Sequence, residues 1–302
     1  MVVFKEPSDG AEQVYPAGTV AMIVESPVDA SHAYRVRFCD GSELMAKRGD
    51  FVQLATVQLA TAHGSGLEAK RLALEDNGLS QSVILRCIVG SRAYGLATDA
   101  SDLDTRGVYL APADRHWSLY GVPEQLENRV TDEVYWELQK FLTLALKANP
   151  NILEVLFSPL VQHATDLAQE LVSMRASFLS KLVHQTYAGY ATAQFRRFEA
   201  RRARGQEPKW KHAMHLIRLL LAGIHVLETG QLRVTVDEAQ RDRLMELRAG
   251  AMSFDQVDAW RLELLERFEA AHRLTRLPDR PDYVAVNAFL IRARRAAAEG
   301  KA

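Results

Sequence analysis

An apolar run from Val83 to Val89, with Arg86 as its one charge, leads into Gly90-Ser91-Arg92-Ala93-Tyr94-Gly95, and Ser101-Asp102-Leu103-Asp104 follows. That order predicts a buried strand, a tight glycine turn, a short helix and a second strand carrying Asp-x-Asp. Gly90 lets a backbone approach a phosphate closely, and Ser91 adds a hydroxyl donor. Asp102 and Asp104 stand two apart, so on a strand both carboxylates leave the same face. Two carboxylates on one face repel unless a cation sits between them, and hard oxygen ligands suit Mg²⁺ (or Mn²⁺). A phosphate cradle beside such a pair is equipment for nucleotidyl transfer from a nucleoside triphosphate.

The ordered combination resembles the DNA polymerase beta-like nucleotidyltransferase superfamily, whose signature is Gly-Ser followed by Asp-x-Asp or Asp-x-Glu. Three longer stretches are similar to its predicted nucleotidyltransferase branch associated with bacterial RNA repair. They are Gly90-Ser91-Arg92-Ala93-Tyr94-Gly95-Leu96-Ala97-Thr98, Ser101-Asp102-Leu103-Asp104-Thr105-Arg106-Gly107-Val108-Tyr109 and Asn149-Pro150-Asn151-Ile152-Leu153-Glu154. The resemblance runs from about Val83 to about Tyr283 and leaves out the first sixty residues. It implies a mixed-sheet catalytic domain, a nucleoside triphosphate as substrate and an RNA end as the favoured acceptor. A protein hydroxyl or a small molecule stays open as acceptor.

Two-metal phosphoryl chemistry asks for a third acidic ligand on a neighbouring strand. The candidates follow Thr131: Asp132, Glu133 and Glu137. Val130 to Trp136 reads as a strand and Leu138 to Lys147 as a helix, which puts Glu137 at the helix N-terminus. Asp132 and Glu133 point to opposite faces, and Asp132 is preferred because Val134 and Trp136 share its face. Asp102, Asp104 and Asp132 are thus the expected catalytic and metal-holding set. Gly90, Ser91 and Arg92 are expected at the phosphates.

A strong helix opens after Pro208, with Lys211, His215 and Arg218 on one stripe at i, i+4 and i+7. The expectation is that this stripe closes over the triphosphate; a solvated basic face is the alternative. Similar Lys–His–Arg helices follow the catalytic domain in the proteins it resembles. Glu154 reads as structural, bonded to backbone or to a basic partner near the pocket. The run from Phe195 to Arg204, and Arg273, Arg276 and Arg280, can each serve an RNA or DNA backbone or simply face solvent.

The chain has 302 residues, 48% hydrophobic and 25% charged, with a net charge of −1. That size allows two or three domains and a sizeable core, and the charge neither favours nor opposes a nucleic acid. Cys39 and Cys87 lie far apart without metal-ligand spacing, so neither a disulfide framework nor a zinc site is indicated. The histidines show no His-Asp metal spacing, which disfavours a phosphohydrolase. No apolar segment reaches membrane-spanning length, and no leader pattern opens the chain, so a cytoplasmic location is expected.

Residues 1–55 read as short strands, Thr19–Val24, Tyr34–Phe38 and Glu43–Met45, with Asp40-Gly41 as a hairpin turn. A small SH3-like β-barrel is expected over 1–60, with Arg35, Arg37 and Lys47-Arg48 facing solvent or phosphate. His63 to Gly66 reads as a linker, and Leu67 to Asp76 as a helix capped by Ser65. The fold class expected is α+β: the barrel, a catalytic α/β domain over 65–160 and a helical domain over 161–302. A non-catalytic nucleic-acid-binding module is the alternative function, opposed by an Asp-x-Asp pair that repels phosphate unless metal is bound.

Overall fold

The computed structural model describes residues 2–4, 8–9, 14–16, 19–25, 33–38, 40–47, 49–53, 78–99, 101–128, 131–206 and 209–301. The chain divides into two compact units, Met1–Asp76 and Asn77–Ala302. The expected linker at His63 to Gly66 and helix from Leu67 to Asp76 lie outside the described residues.

The first unit holds β1 (Val2–Phe4), β2 (Ser8–Asp9), β3 (Val14–Tyr15), β4 (Val20–Glu25), β5 (Tyr34–Arg37), β6 (Glu43–Ala46) and β7 (Phe51–Gln53). Five of them make an antiparallel sheet in the order β6-β5-β4-β1-β7, and β2 pairs with β3. The expected strands and the turn at Asp40-Gly41 are present, with Gly41 at φ +88°. The expected barrel is not closed: among the described residues no pair joins β6 to β7. Phe4, Tyr15, Val36, Phe38, Ala46 and Phe51 form its buried core, and the Tyr15 and Phe38 rings stack with centroids 3.6 Å apart. The arginines of β5 face acids across the sheet: Arg35 lies 2.7 Å from Glu25, and Arg37 lies 2.7 Å from Glu43.

The second unit is built on a mixed sheet. Its strands are β8 (Val83–Ile88), β9 (Thr105–Tyr109), β10 (Gln125–Asn128), β11 (Glu133–Glu137) and β12 (Val161–Ala164), in the order β10-β11-β9-β8-β12. Only β9 and β11 run parallel; the other neighbours are antiparallel. On β9, Val108 enters the main core and Tyr109 a smaller cluster, as a two-residue period demands. On β8 the pairing is irregular between Val83 and Leu85, so Val83 joins the smaller cluster while Ile84, Leu85 and Cys87 enter the main core. Burial pushes the Cys87 thiol up to about 12, as expected of an inert core cysteine. At the centre of the sheet, a Cβ added to Gly107 would lie 1.9 Å from the Leu85 carbonyl oxygen, so the residue must be glycine for β8 and β9 to pair.

Ten helices are described: α1 (Gly90–Tyr94), α2 (Ala113–Trp117), α3 (Leu138–Leu146), α4 (Pro150–Leu156), α5 (Asp166–Ser173), α6 (Leu182–Ala203), α7 (Trp210–Thr229), α8 (Glu238–Ala249), α9 (Phe254–Leu274) and α10 (Tyr283–Ala298). Glu137 accepts a hydrogen bond from the Gln139 N–H at the start of α3, the N-terminal role its position predicts. Asn149 caps α4 and Pro150 opens it, where a missing N–H costs nothing. α7 buries Ala213, Leu216, Ile217, Leu220 and Ile224 and packs against α6, α8 and α9. One apolar core joins the sheet's Leu85 and Val108 to Phe141 of α3, Ile217 of α7 and Phe289 of α10. That shared core joins the sheet and the helices. Among the described residues no helix is long and apolar enough to cross a membrane.

Candidate active site

The turn after β8 is fixed by close approach. The Val89 N–H donates to the Asp104 carbonyl at 3.0 Å, carrying the β8–β9 pairing one step past the strands. Gly90 then turns with φ +69°, and a Cβ there would stand 2.2 Å from Asp104 Oδ2. The Asp104 carboxylate therefore lies directly against the Gly90 backbone. Gly90→Ala is expected to cost about 1–2 kcal/mol for the left-handed backbone and to push Asp104 out of place as well. Chemical denaturation reads the first effect; transferase activity falling further than stability reads the second.

Asp102 and Asp104 do not lie on the expected strand itself. They occupy the segment just before β9, where the ladder to β8 begins. The segment is held from several sides. Ser101 Oγ accepts the Thr98 N–H at 2.9 Å, and Arg92 Nη2 donates to the Ser101 carbonyl at 3.3 Å. From α8, Arg248 Nη1 donates to the Leu96 carbonyl at 2.5 Å, and Arg248 Nη2 reaches Ser101 Oγ at 3.5 Å.

A cavity of about 420 Å³ opens here, lined by Gly90, Ser91, Asp102, Asp104, Lys211 and His215. These are six of the residues singled out in the sequence, brought together from β8–α1, the β9 approach and α7. Tyr94, Ser101, His212, Met214 and Arg248 complete the lining. Arg92 is exposed and bonds the Ser101 carbonyl instead of lining the cavity.

Asp132 precedes β11 in a turn with φ +50°, so the strand expected from Val130 begins only at Glu133. Thr105 pairs with Glu133 on the parallel neighbour, which puts Asp132 beside Asp104. Burial raises the Asp104 carboxyl above its ordinary range, and a hydrogen bond to Asp132 adds to this; Arg106 and Lys211 oppose the rise. Glu133 turns away and accepts from the Tyr135 hydroxyl at 2.8 Å.

Among the described residues no three His, Cys, Asp or Glu side chains are gathered to hold a metal ion by themselves. The donor set nevertheless fits Mg²⁺. That ion is ordinarily held by one or two carboxylates, with waters and substrate phosphates completing its shell. Asp102 and Asp104, which line one cavity with the Gly90-Ser91 turn, offer that arrangement.

Arg218 lies behind the cavity, not on its wall. Only 2% of its side chain is exposed, and Nη2 donates to Glu154 Oε1 at 2.5 Å. Its guanidinium stacks on the Tyr94 ring, 3.6 Å from the centroid, while the Tyr94 hydroxyl donates to Glu154 Oε2 at 2.5 Å. The stripe Lys211–His215–Arg218 thus divides: its first two members face the cavity and its third anchors α7 to α1 and α4. Glu154 has the structural role expected of it, bonded to a basic partner near the pocket, but the sequence did not mark Arg218 as that partner.

His215 lies between these layers. Burial, followed by the Arg218 charge, lowers its pKa from 6.5 to about 4, so the ring is neutral at pH 7. The unfolded chain binds this proton near pH 6.5 and the folded chain only near 4, so stability falls as pH drops through that window, by up to about 3 kcal/mol. Urea midpoints between pH 7 and 4 should therefore fall more steeply for the wild type than for His215→Gln.

Arg106 and Arg248 were not singled out in the sequence. Arg106 is a strand residue whose importance appears only when β11 lies beside β9. Arg248 comes from a helix far along the chain, with no local motif to mark it.

The family model of the RNA repair pathway DNA polymerase beta family matches residues 66–292. A similar protein is the uncharacterized protein YcgL of Bacillus subtilis (strain 168), 30% identical over 138 residues. That match covers 44% of this chain and 52% of YcgL, so the chain spans about half the length of this relative.

Proposed function

Because the chain belongs to the RNA repair pathway DNA polymerase beta family, we propose that it transfers a nucleoside monophosphate from a nucleoside triphosphate to an acceptor hydroxyl, with an RNA end as the acceptor. One observation carries the reading: the Gly90-Ser91 turn and the Asp102/Asp104 pair line one cavity together with Lys211 and His215. In this reaction the acceptor oxygen bonds the α-phosphorus while the bond to the pyrophosphate oxygen breaks.

The residues divide the work by chemistry. The Gly90-Ser91 backbone and the Ser91 hydroxyl bind phosphate oxygens. The Lys211 ammonium supplies charge for the β- and γ-phosphates. His215, kept neutral, offers hydrogen bonding to the triphosphate and adds no charge to a cavity that Lys211 and Arg248 share with Asp102 and Asp104. Arg248 holds the segment that carries Asp102. A divalent cation held by Asp102 and Asp104 would lower the pKa of the attacking hydroxyl and neutralise the pyrophosphate as it leaves. Asp132 would serve as the third carboxylate through its position beside Asp104. The exposed Arg196 and Arg204 of the α6 region are suited to a phosphodiester backbone.

The test is incubation of the full chain with each α-labelled nucleoside triphosphate, Mg²⁺ or Mn²⁺, and RNA or DNA oligonucleotides. Label should pass to RNA and pyrophosphate should appear. No transfer to any oligonucleotide with any triphosphate and either metal would overturn the proposal.

A further inference from the structure

Arg106 is drawn into the acidic corner from β9 without lining its cavity. Its Nη1 donates to the carbonyls of Asp132, at 2.5 Å, and Thr105, at 2.9 Å. Its Nη2 donates to Asp132 Oδ1 at 3.0 Å and stands 3.8 Å from Asp104 Oδ1. The backbone dictates this placement. Asp104 and Asp132 each immediately precede a paired residue, Thr105 and Glu133, of two parallel strands, so their carboxylates come side by side. Arg106 is two residues from Asp104 along an extended chain, so it leaves the same face and folds back over both acids.

Two carboxylates this close need a counter-charge. The guanidinium supplies it, gripped at one end by two carbonyls that fix its plane and leave the other end for the acids. A carboxylate oxygen held this way has fewer lone pairs for another cation, and the guanidinium charge repels a divalent ion arriving beside it. We infer that Arg106 is the resident counter-cation of the Asp104–Asp132 pair, competing with the divalent metal for these carboxylates and setting the concentration at which the site loads. The inference rests on the metal-dependent reading above. One consequence is ordered loading. The metal binds weakly alone and more tightly with the triphosphate, whose negative charge offsets the extra cation.

The test is Mn²⁺ binding to the full chain without nucleotide, by calorimetry or by the spin-resonance signal of free Mn²⁺, for wild type, Arg106→Gln, Arg106→Lys and Asp104→Asn. Removing one adjacent like charge at a partly exposed site should tighten the Arg106→Gln dissociation constant roughly tenfold. Arg106→Lys, whose single ammonium cannot grip both carbonyls and both acids, should fall between it and wild type, and Asp104→Asn should bind far more weakly. A purely structural arginine would give weaker or unchanged binding on removal, so either result in a folded Arg106→Gln overturns the inference. Should Arg106→Gln not fold, Arg106→Lys decides: tighter than wild type supports the inference, equal or weaker overturns it. Mn²⁺ binding by wild type indistinguishable from Asp104→Asn defeats the metal reading itself, and the inference with it. Loss in Asp104→Asn with no change in Arg106→Gln defeats the inference alone.

Discussion

Asp104→Ala should lower nucleotidyl transfer by roughly 10³-fold or more, since a metal-holding carboxylate supplies several kcal/mol of transition-state stabilisation and each 1.36 kcal/mol is tenfold. The fold should not suffer with it. Asp104 is pushed toward the neutral acid by burial and by Asp132, so its charge is held against opposition in the folded chain. Removing it relieves a repulsion and leaves Arg106 still bonded to Asp132 and to two carbonyls. Thermal melting of Asp104→Ala at or above the wild-type midpoint, together with lost label transfer, is the expected pair of results. Such a trade, stability held below its optimum for the sake of a site, is common where activity needs like charges close together. Transfer within tenfold of wild type would remove Asp104 from the catalytic set.

The largest effect on stability should come from the layer behind the cavity. Arg218→Met leaves the Glu154 carboxylate buried, with only the Tyr94 hydroxyl to satisfy it, and should cost about 3–5 kcal/mol. Burial opposes the Arg218 charge, and Glu154 beside it more than offsets this, which holds the guanidinium above its ordinary range. Replacing both, as Arg218→Met with Glu154→Leu, should recover most of the loss, because two well-packed apolar groups need no partner. A double-mutant cycle by urea denaturation measures the coupling. Additive single effects would show that the pair is not a unit. The cycle also bears on the site, since Tyr94 lines the cavity and is held between Arg218 and Glu154. Arg218→Met should therefore loosen nucleotide binding as well, although Arg218 does not touch the cavity.

Much of the site could be read from local order alone. Val83 to Gly95 form strand, turn and short helix because each step depends only on neighbours: an apolar run, a glycine free to take positive φ, a second glycine to end the helix. Asp102 and Asp104 do line one cavity, although they precede the strand on which the two-residue period was applied. What local order could not supply was pairing at a distance. Whether Asp132 or Glu133 faces Asp104 depends on the turn at Asp132 and the parallel register of β11, neither of which leaves a mark in the composition. Arg218 carried the right spacing for the cavity but met Glu154 first, an acid 64 residues earlier in the chain. In the first unit the strands were legible from alternation and turns, while the absence of a pair between β6 and β7 among the described residues is a matter of topology.

In the proposed function the Asp102/Asp104 pair and the Gly90-Ser91 turn act as one metal-dependent nucleotide site. Calorimetric titration of the full chain with non-hydrolysable triphosphates of the four bases, with and without Mg²⁺, tests it most directly. Wild type should bind at least one analogue only when Mg²⁺ is present, and Asp102→Asn/Asp104→Asn should lose that binding while keeping its fold. Equal affinity with and without Mg²⁺, unchanged in the double variant, would contradict the account.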